Sequence, residues 1–405
     1  VAQTNKRLWV LRDPDEIAEY DPMTFILRQT LKLPPQVLKD PYNLAINNKG
    51  QMLFVPTLVE DALTSNQSAS ARKIWLWNGQ TATVIDHGVT RKSSPAGSNL
   101  SVVEATPSCF LSADGRHLYW LENEFSKLKN GEGMDLSVTA LFRAWETDLA
   151  GNQRSQIAVS SFASCQCETG VCSETCPEAD FWVPDDGVDD FFIVTDWVPG
   201  QIGPTYHSSF LYRKAGEKWS RSKLSQVMER VLDADQEGMT VVQALQDAGC
   251  CGWVNESNDQ TLLTSNNKSI VLFDERQRYA NANYDVSFFT SSARLSPDIR
   301  FVAMTISSSA QPGAEIRLAD GGRSDPKELA RIRQALTGLP AVEILRLENS
   351  AKPVALIPHA SLVGWLNPKE ILVVEDHILT VFNVMAGTTR MSQIKVPKES
   401  YVFVR

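Results

Sequence analysis

The sequence predicts an all-β chain folded as a β-propeller of seven blades, with six blades as the alternative. Three observations carry that prediction. Six segments repeat one hairpin pattern: an apolar strand, a turn rich in Asp, Asn and Gly, and a second apolar strand. Further strand-like runs follow each hairpin, giving about four strands per unit, the make-up of a propeller blade. The chain ends are left over, with three strand-like runs at the start and one at the finish.

The units follow in chain order. The first, about 42–90, opens with "LAINNKGQMLFV" and continues with "RKIWLW" and "ATVIDHG". The second, about 104–160, has "CFLSADGRHLYW", then "TALFRAWE" and "SQIAVSS". The third, about 178–225, has "WVPDDGVDDFFIV", then "SFLYRKAG" and "KWSRSKL". The fourth, about 250–282, reads "WVNESNDQTLLT" and "KSIVLFDE". The fifth, about 288–350, reads "ARLSPDIRFVAM", "AEIRLAD" and "AVEILRLE". The sixth, about 358–398, reads "LVGWLNPKEILVV", "ILTVFNV" and "SQIKVP". The turn residues supply positive φ or side-chain-bonded turns, and the flanking β-branched and aromatic residues suit strands. Residues 6–34 plus 399–405 supply three strands and one, a closing blade that would leave no exposed sheet edge.

A few short helices are expected as insertions. In "DPKELARIRQALTGLP", Asp325 is the expected N-cap, Pro326 the first-turn proline and Gly338 the stop. This helix is expected between the third and fourth strands of its blade, as a packing element.

With strands A to D numbered outward from the propeller axis, the D-to-A and B-to-C connections share one face. The long insertions are predicted there, including "PTLVEDALTSNQSASA", "ENEFSKLKNGEGMDLS", "DWVPGQIGPTYHS" and the cysteine-rich run before the third unit. Long loops on a rigid scaffold carry function.

The hairpins "LSADGRHLYW" and "LSPDIRFVAM" resemble the SPDG-type hairpin of the TolB-type propeller repeat. The resemblance implies the fold and a habit of binding. It implies no catalytic residue.

The chain of 405 residues carries a net charge of −9, with 43% apolar and 21% charged residues. An acidic chain with scattered Lys and Arg does not suit nucleic acid, and no apolar run is long enough to span a bilayer. The start "VAQTNKRLWV" is read as a processed N-terminus, and the clustered cysteines point to an oxidising compartment, periplasmic or extracellular.

Four of the seven cysteines, Cys165, Cys167, Cys172 and Cys176, fall in one short run. The C-x-C-x4-C-x3-C spacing fits two disulfides better than a zinc site, whose ligands usually come as two separated pairs. Cys250 and Cys251 are expected at the start of the fourth unit on the same face, joined to these or to each other. Cys109, at the start of its strand A, is expected near the same channel mouth as the odd free thiol. No cofactor is expected; Ca²⁺ or Zn²⁺ is the alternative.

No nucleophile elbow, HExxH or phosphate-loop motif is present. His117 and His377 sit in hairpin turns and are read as structural. Asp196, Trp197, Tyr206 and His207 cluster in one predicted loop, where Asp and His could form an acid–base pair beside an aromatic wall. Glu104 precedes a predicted strand A, where a carboxylate could bind Ca²⁺ at the channel mouth. These five are the candidate ligand residues. The function expected is an exported, non-enzymatic binding propeller presenting a disulfide-braced face to a protein, peptide or glycan. The alternative is a metal-dependent, lactonase-like hydrolase.

Overall fold

The computed structural model describes residues 6–13, 15–33, 44–46, 50–54, 73–87, 90–92, 100–112, 115–129, 135–149, 154–166, 178–182, 191–199, 204–216, 218–224, 230–235, 237–246, 258–265, 268–279, 284–318, 325–348, 350–397 and 402–404. The described strands form seven antiparallel sheets, in each of which neighbouring strands follow chain order or join the two chain ends.

One sheet has the order β29 (Val402–Val404), β1 (Leu8–Asp13), β2 (Glu16–Tyr20), β3 (Leu27–Lys32). In it Leu8 pairs with Val404 and Val10 with Val402, so the last strand lies on the first. The next contains β4 (Leu44–Ile46), β5 (Met52–Phe54), β6 (Lys73–Trp77) and β7 (Ala82–His87). A five-stranded sheet follows: β8 (Thr90–Lys92), β9 (Leu100–Leu111), β10 (His117–Lys129), β11 (Asp135–Asp148) and β12 (Arg154–Gln166). After it come β13 (Glu178–Trp182), β14 (Phe191–Pro199), β15 (Pro204–Ala215) and β16 (Lys218–Lys223). Then come β17 (Arg230–Ala234), β18 (Thr240–Gln246), β19 (Asn258–Ser265) and β20 (Lys268–Asp274). The last two are β21 (Phe288–Leu295), β22 (Phe301–Ser308), β23 (Ala341–Leu347), β24 (Ala351–Pro358), and β25 (Ala360–Asn367), β26 (Glu370–Glu375), β27 (Ile378–Asn383), β28 (Thr388–Lys395). Two helices accompany them among the described residues, α1 (Glu275–Tyr279) and α2 (Pro326–Thr337), and neither is long and apolar enough to cross a membrane.

The chain divides into two compact units, one of Val1–Val10, Tyr20–Arg28 and Leu224–Val404, the other of Leu11–Glu19, Gln29–Lys223 and Arg405. In the first, Val241, Leu263, Phe273, Phe288, Val302 and Met304 form one core, with Ile332 and Leu336 of α2 packed into it. Phe301, Val342, Ile344, Trp365, Ile371 and Val373 form a second core there. Each such side chain, fully buried, contributes about 1.5–3 kcal/mol. In the second unit the buried residues include Leu118, Tyr119, Phe192, Ile193 and Leu211. Within the sheets, middle strands such as β22 and β26 are buried on both faces, whereas β16, β24 and β28, fourth in their sheets, are largely exposed.

Two of the first-to-second strand turns share one geometry. In the turn at 112–116, Ser112 N donates to His117 O (2.9 Å), Gly115 N donates to Ser112 O (2.9 Å), and Ser112 Oγ accepts from Arg116 N and His117 N. The turn at 296–300 repeats every bond: Ser296 N to Phe301 O (2.8 Å), Ile299 N to Ser296 O (2.8 Å), with Ser296 Oγ accepting from Arg300 N and Phe301 N. The turn after β17 is one residue tighter: Asp235 N donates to Met239 O (2.9 Å), and the Asp235 carboxylate accepts from Glu237 N and Met239 N. A residue of left-handed backbone precedes the second strand in each of these turns and before β5: Gly50 (φ 77°), Gly115 (φ 68°), Gly238 (φ 89°) and Ile299 (φ 57°). Glycine adopts that conformation without penalty, whereas a β-branched side chain resists it.

Two expectations are corrected. The fourth unit starts at Arg230, not near 250: "RVLDA" and "TVVQALQ" are β17 and β18. A unit that starts near 250 makes this run a connection, whereas the Asp235–Gly238 turn folds it back as a hairpin with Val231 opposite Val242. Cys250 and Cys251 therefore fall between the second and third strands of their sheet, outside the described residues. Likewise α2 lies between β22 and β23, the second and third strands, rather than between the third and fourth, because β23 begins only at Ala341 and "AEIRLAD" contributes one isolated bridge, Tyr284 with Leu318. The expected caps of α2 are present: Asp325 accepts from Lys327 N, Pro326 opens the helix and Gly338 closes it.

Candidate functional site

The second-to-third and fourth-to-first connections carry the long insertions, such as 55–72, 247–257 and 309–340, while the other turns are short. Two of the predicted loops are in fact strand. "ENEFSKLKNGEGMDLS" forms the far ends of β10 and β11, with Glu122 opposite Arg143 and Lys127 opposite Val138. The strands of this sheet are long: 12 residues in β9, 13 in β10, 14 in β11 and 13 in β12. At a rise of about 3.3 Å per residue such a strand runs about 40 Å, twice the usual length. β8 adds a fifth strand at the far end, with Thr90 opposite Val103.

The candidate ligand residues all lie on this end of two consecutive sheets. Glu104 is in β9 opposite Asn123. Asp196 and Trp197 end β14, Tyr206 and His207 begin β15, and Trp197 stands opposite Tyr206 across a register shift at Asp196/Trp197. They are therefore hairpin residues, not loop residues. Cys165 is in β12 opposite Val138, at the same end. Cys167, Cys172 and Cys176 lie outside the described residues.

Cys109 departs from its expected place. It is opposite Trp120, next to the 112–116 turn. Following the registers from Cys165 to Val138, Lys127 and Leu100 puts Cys165 level with residue 100 of β9. The offset along the strand is about 30 Å at the usual rise. A disulfide needs Cα atoms within about 7 Å, so these two cysteines cannot pair.

A polar cluster that sequence reading missed lies at the short-turn end of the second unit. Glu146 of β11 is buried, its side chain 11% exposed. Lys214 Nζ of β15 donates to Glu146 Oε1 at 2.6 Å, Tyr119 Oη donates to the same oxygen at 3.0 Å, and Trp219 Nε1 of β16 donates to Oε2 at 3.2 Å. His117 Nδ1 lies 3.4 Å from Oε1 but is not aligned for a hydrogen bond. The Lys214 ammonium also sits over the Trp219 and Tyr119 rings, at 5.6 and 6.0 Å. Trp219 packs edge-on to Tyr119 and tilted against Phe192, which stacks on Tyr212. Burial pushes the Glu146 carboxyl up, but the donors from Lys214, Trp219 and Tyr119 outweigh it and hold the group below its ordinary value. An ionised carboxylate held by three donors from two sheets makes a poor proton acceptor. It works as a clamp joining β10 and β11 to β15 and β16.

A second ion pair braces the other unit. Arg278 of α1 donates to Glu343 of β23, and Tyr279 stacks on Phe288 with ring centroids 3.9 Å apart. Burial lowers the Arg278 pKa, but the Glu343 carboxylate more than restores it, so the guanidinium stays charged. Among the described residues no three His, Cys, Asp or Glu side chains come together as metal ligands.

No protein-family model and no curated protein matches the chain. Solved structures similar in fold include dipeptidyl peptidase 4 of Porphyromonas gingivalis, at 9% identity and a TM-score of 0.43, covering 97% of this chain and 58% of that one. The β-propeller domain of the trilobed protease from Pyrococcus furiosus matches at 9% identity and a TM-score of 0.41, over 95% of this chain and 87% of that one. An ulvan lyase of a new polysaccharide lyase family matches at 10% identity and a TM-score of 0.42, over 98% of this chain and 91% of that one. The chain thus spans a little over half of the peptidase, and no residue role follows from likenesses this distant.

Proposed function

We propose that the seven sheets are blades of a propeller closed by β29 on β1, and that the protein is an exported, non-enzymatic binding scaffold for a protein, peptide or glycan. Closure is supported by the Leu8–Val404 and Val10–Val402 pairs, and by the exposure of the fourth strands. The observation that carries the binding role is the overlong β9–β12 sheet with its added strand β8. Counted from the short turns, the first half of its 12- to 14-residue strands already matches an ordinary strand in length. The other half is more strand than a blade needs. A projecting sheet end offers backbone edges and side chains on both faces, as binding by strand addition and by side-chain pockets requires. Glu104 belongs to that end and Asp196, Trp197, Tyr206 and His207 to the corresponding end of the next sheet in the chain, and disulfides among Cys165, Cys167, Cys172 and Cys176 would stiffen the connection between the two.

The test is direct. The full chain, screened on peptide and glycan arrays, is compared with a variant in which 123–142 is replaced by a two-residue Asn-Gly turn. The variant is expected to keep its far-ultraviolet spectrum and lose the ligand. A shortened variant that still binds every ligand of the parent overturns the reading.

A further inference from the structure

In the first unit a cleft of about 380 Å³ opens at the short-turn ends of two neighbouring sheets, β17–β20 and β21–β24. Its walls are apolar: Met239, Leu263, Ile270, Ile299 and Leu347. The volume lies in the range of small-molecule sites. Its rim carries two opposite charges, Lys268 and Glu348, together with the Ser265 hydroxyl. Glu348 is already engaged, accepting from Lys352 Nζ at 2.9 Å. Lys268 makes no ion pair among the described residues, so the cleft combines an apolar interior with one uncommitted cation.

The cleft wall also holds the backbone exception noted above. Of the four first-to-second strand turns with a left-handed residue among the described residues, three place glycine there and one places Ile299, at φ 57°. Glycine there would fold the hairpin equally well, as Gly115 does with the same Ser-centred bonds. A β-branched side chain held in that conformation is a local strain, and such strain concentrates at ligand sites. What it provides here is an apolar surface on the cleft. The uncommitted cation and the strained apolar wall are independent observations that converge on one cavity.

We propose that this cleft binds a small amphipathic anion, an aliphatic carboxylate whose chain lies along Ile299, Leu263 and Met239 and whose head is held by Lys268 and Ser265. Chemical complementarity carries this choice. A cationic ligand would meet Lys268, and a fully polar one would leave the five apolar walls uncovered. The site lies at the short-turn end of its sheets, so it does not depend on the projecting sheet of the proposed binding face.

Decanoate below its micelle concentration is the probe, with decan-1-ol as the uncharged control. Decanoate should bind the full chain saturably by calorimetry. It should also shift the methyl resonance of Met239, assigned by Met239→Leu, selectively among the eight methionines. Lys268→Gln should weaken decanoate about tenfold and leave decan-1-ol unchanged. Ile299→Gly should weaken both, with circular dichroism that matches the parent and a melting temperature no lower. If decanoate fails to saturate at millimolar concentration, or binds Lys268→Gln as tightly as the parent, the proposal fails. It fails equally if the Met239 resonance stays in place while others move.

Discussion

Replacing Lys214 by Met removes the cation from the Glu146 clamp and keeps most of the stem that covers Trp219. At 2.6 Å, with an effective dielectric constant of about 20, the bare attraction between the two charges is about 6 kcal/mol. Desolvation cancels most of it, because the side chains are 11% and 17% exposed. Removing one partner of a fully buried pair costs about 3–5 kcal/mol. Here Tyr119 and Trp219 still donate to the carboxylate, so Lys214→Met is expected to destabilise by about 2–3 kcal/mol at neutral pH, including about 0.5–1 kcal/mol of lost cation–ring attraction. Adding Glu146→Gln removes the stranded charge and should recover about half of that loss.

The pH dependence follows with a definite sign. The folded-state value of Glu146 lies below its unfolded value, so its contribution is present above the unfolded value and is lost as pH falls through the folded one. Without Lys214, burial dominates and the carboxyl moves up. The deficit of Lys214→Met should therefore shrink from neutral pH to about pH 3. Urea unfolding followed by circular dichroism and tryptophan fluorescence measures it as a shift in Cm at constant slope. A loss under about 0.5 kcal/mol, or a double variant no more stable than the single one, would refute the clamp.

Three further outcomes are expected. Ile299→Gly should exceed Ile299→Ala in stability by about 0.5–1 kcal/mol, the reverse of an ordinary loop position, because alanine keeps the left-handed penalty and glycine does not; equal Cm values would contradict the strain. The Asp21 carboxyl is pushed up by burial but brought to about 2 by the amides of Thr24 and Met23 and by Arg28, so the 21–26 turn should hold at ordinary acid pH and open only as pH falls through that value. A carbon-detected carboxyl titration reads this, and a midpoint near 4 counts against it. Peptide mapping without reductant should find Cys165 in a disulfide and Cys109 alkylatable; a Cys109–Cys165 peptide would contradict the strand registers.

The hairpins were legible in the sequence because their signals are local. "LSADGRHL" and "LSPDIRFV" carry the serine whose hydroxyl caps two amides, and the alternation on either side marks strands. The three-plus-one sheet of the chain ends was legible by subtraction, since three strand runs and one were left without partners. Where local propensity contradicted the fold, the reading slipped. The strand pair around Gly238 is split by the polar run from Asp235 to Glu237, and "AEIRLAD" has the composition of a strand but pairs only at Leu318. The Glu146 clamp was not legible, because Tyr119, Glu146, Lys214 and Trp219 meet only through strand pairing and sheet packing. A buried Glu in "FRAWETD", flanked by strand residues on both sides, is the one trace it leaves. The long hairpins were read as loops because "ENEFSKLKNGEGMDLS" is mostly polar, and polarity identifies exposure rather than backbone conformation.

The matching turns at 112–116 and 296–300 show how one repeated motif acquires separate roles. The turn itself requires only a capping Ser and a residue able to take positive φ, which Gly115 supplies in the first copy. What differs is what the turn delivers. At 112–116 it delivers His117 and, two residues on, Tyr119 against the Glu146 carboxylate, where polarity ties one sheet to the next. At 296–300 it delivers Phe301 into an apolar core, and the strained Ile299 is left facing a cleft. Were the isoleucine there only to close the hairpin, glycine would do so at lower free energy, since Ser296 makes the same bonds that Ser112 makes beside Gly115. The side chain must therefore be accounted for by what lies outside the turn, and the structure places the cleft there.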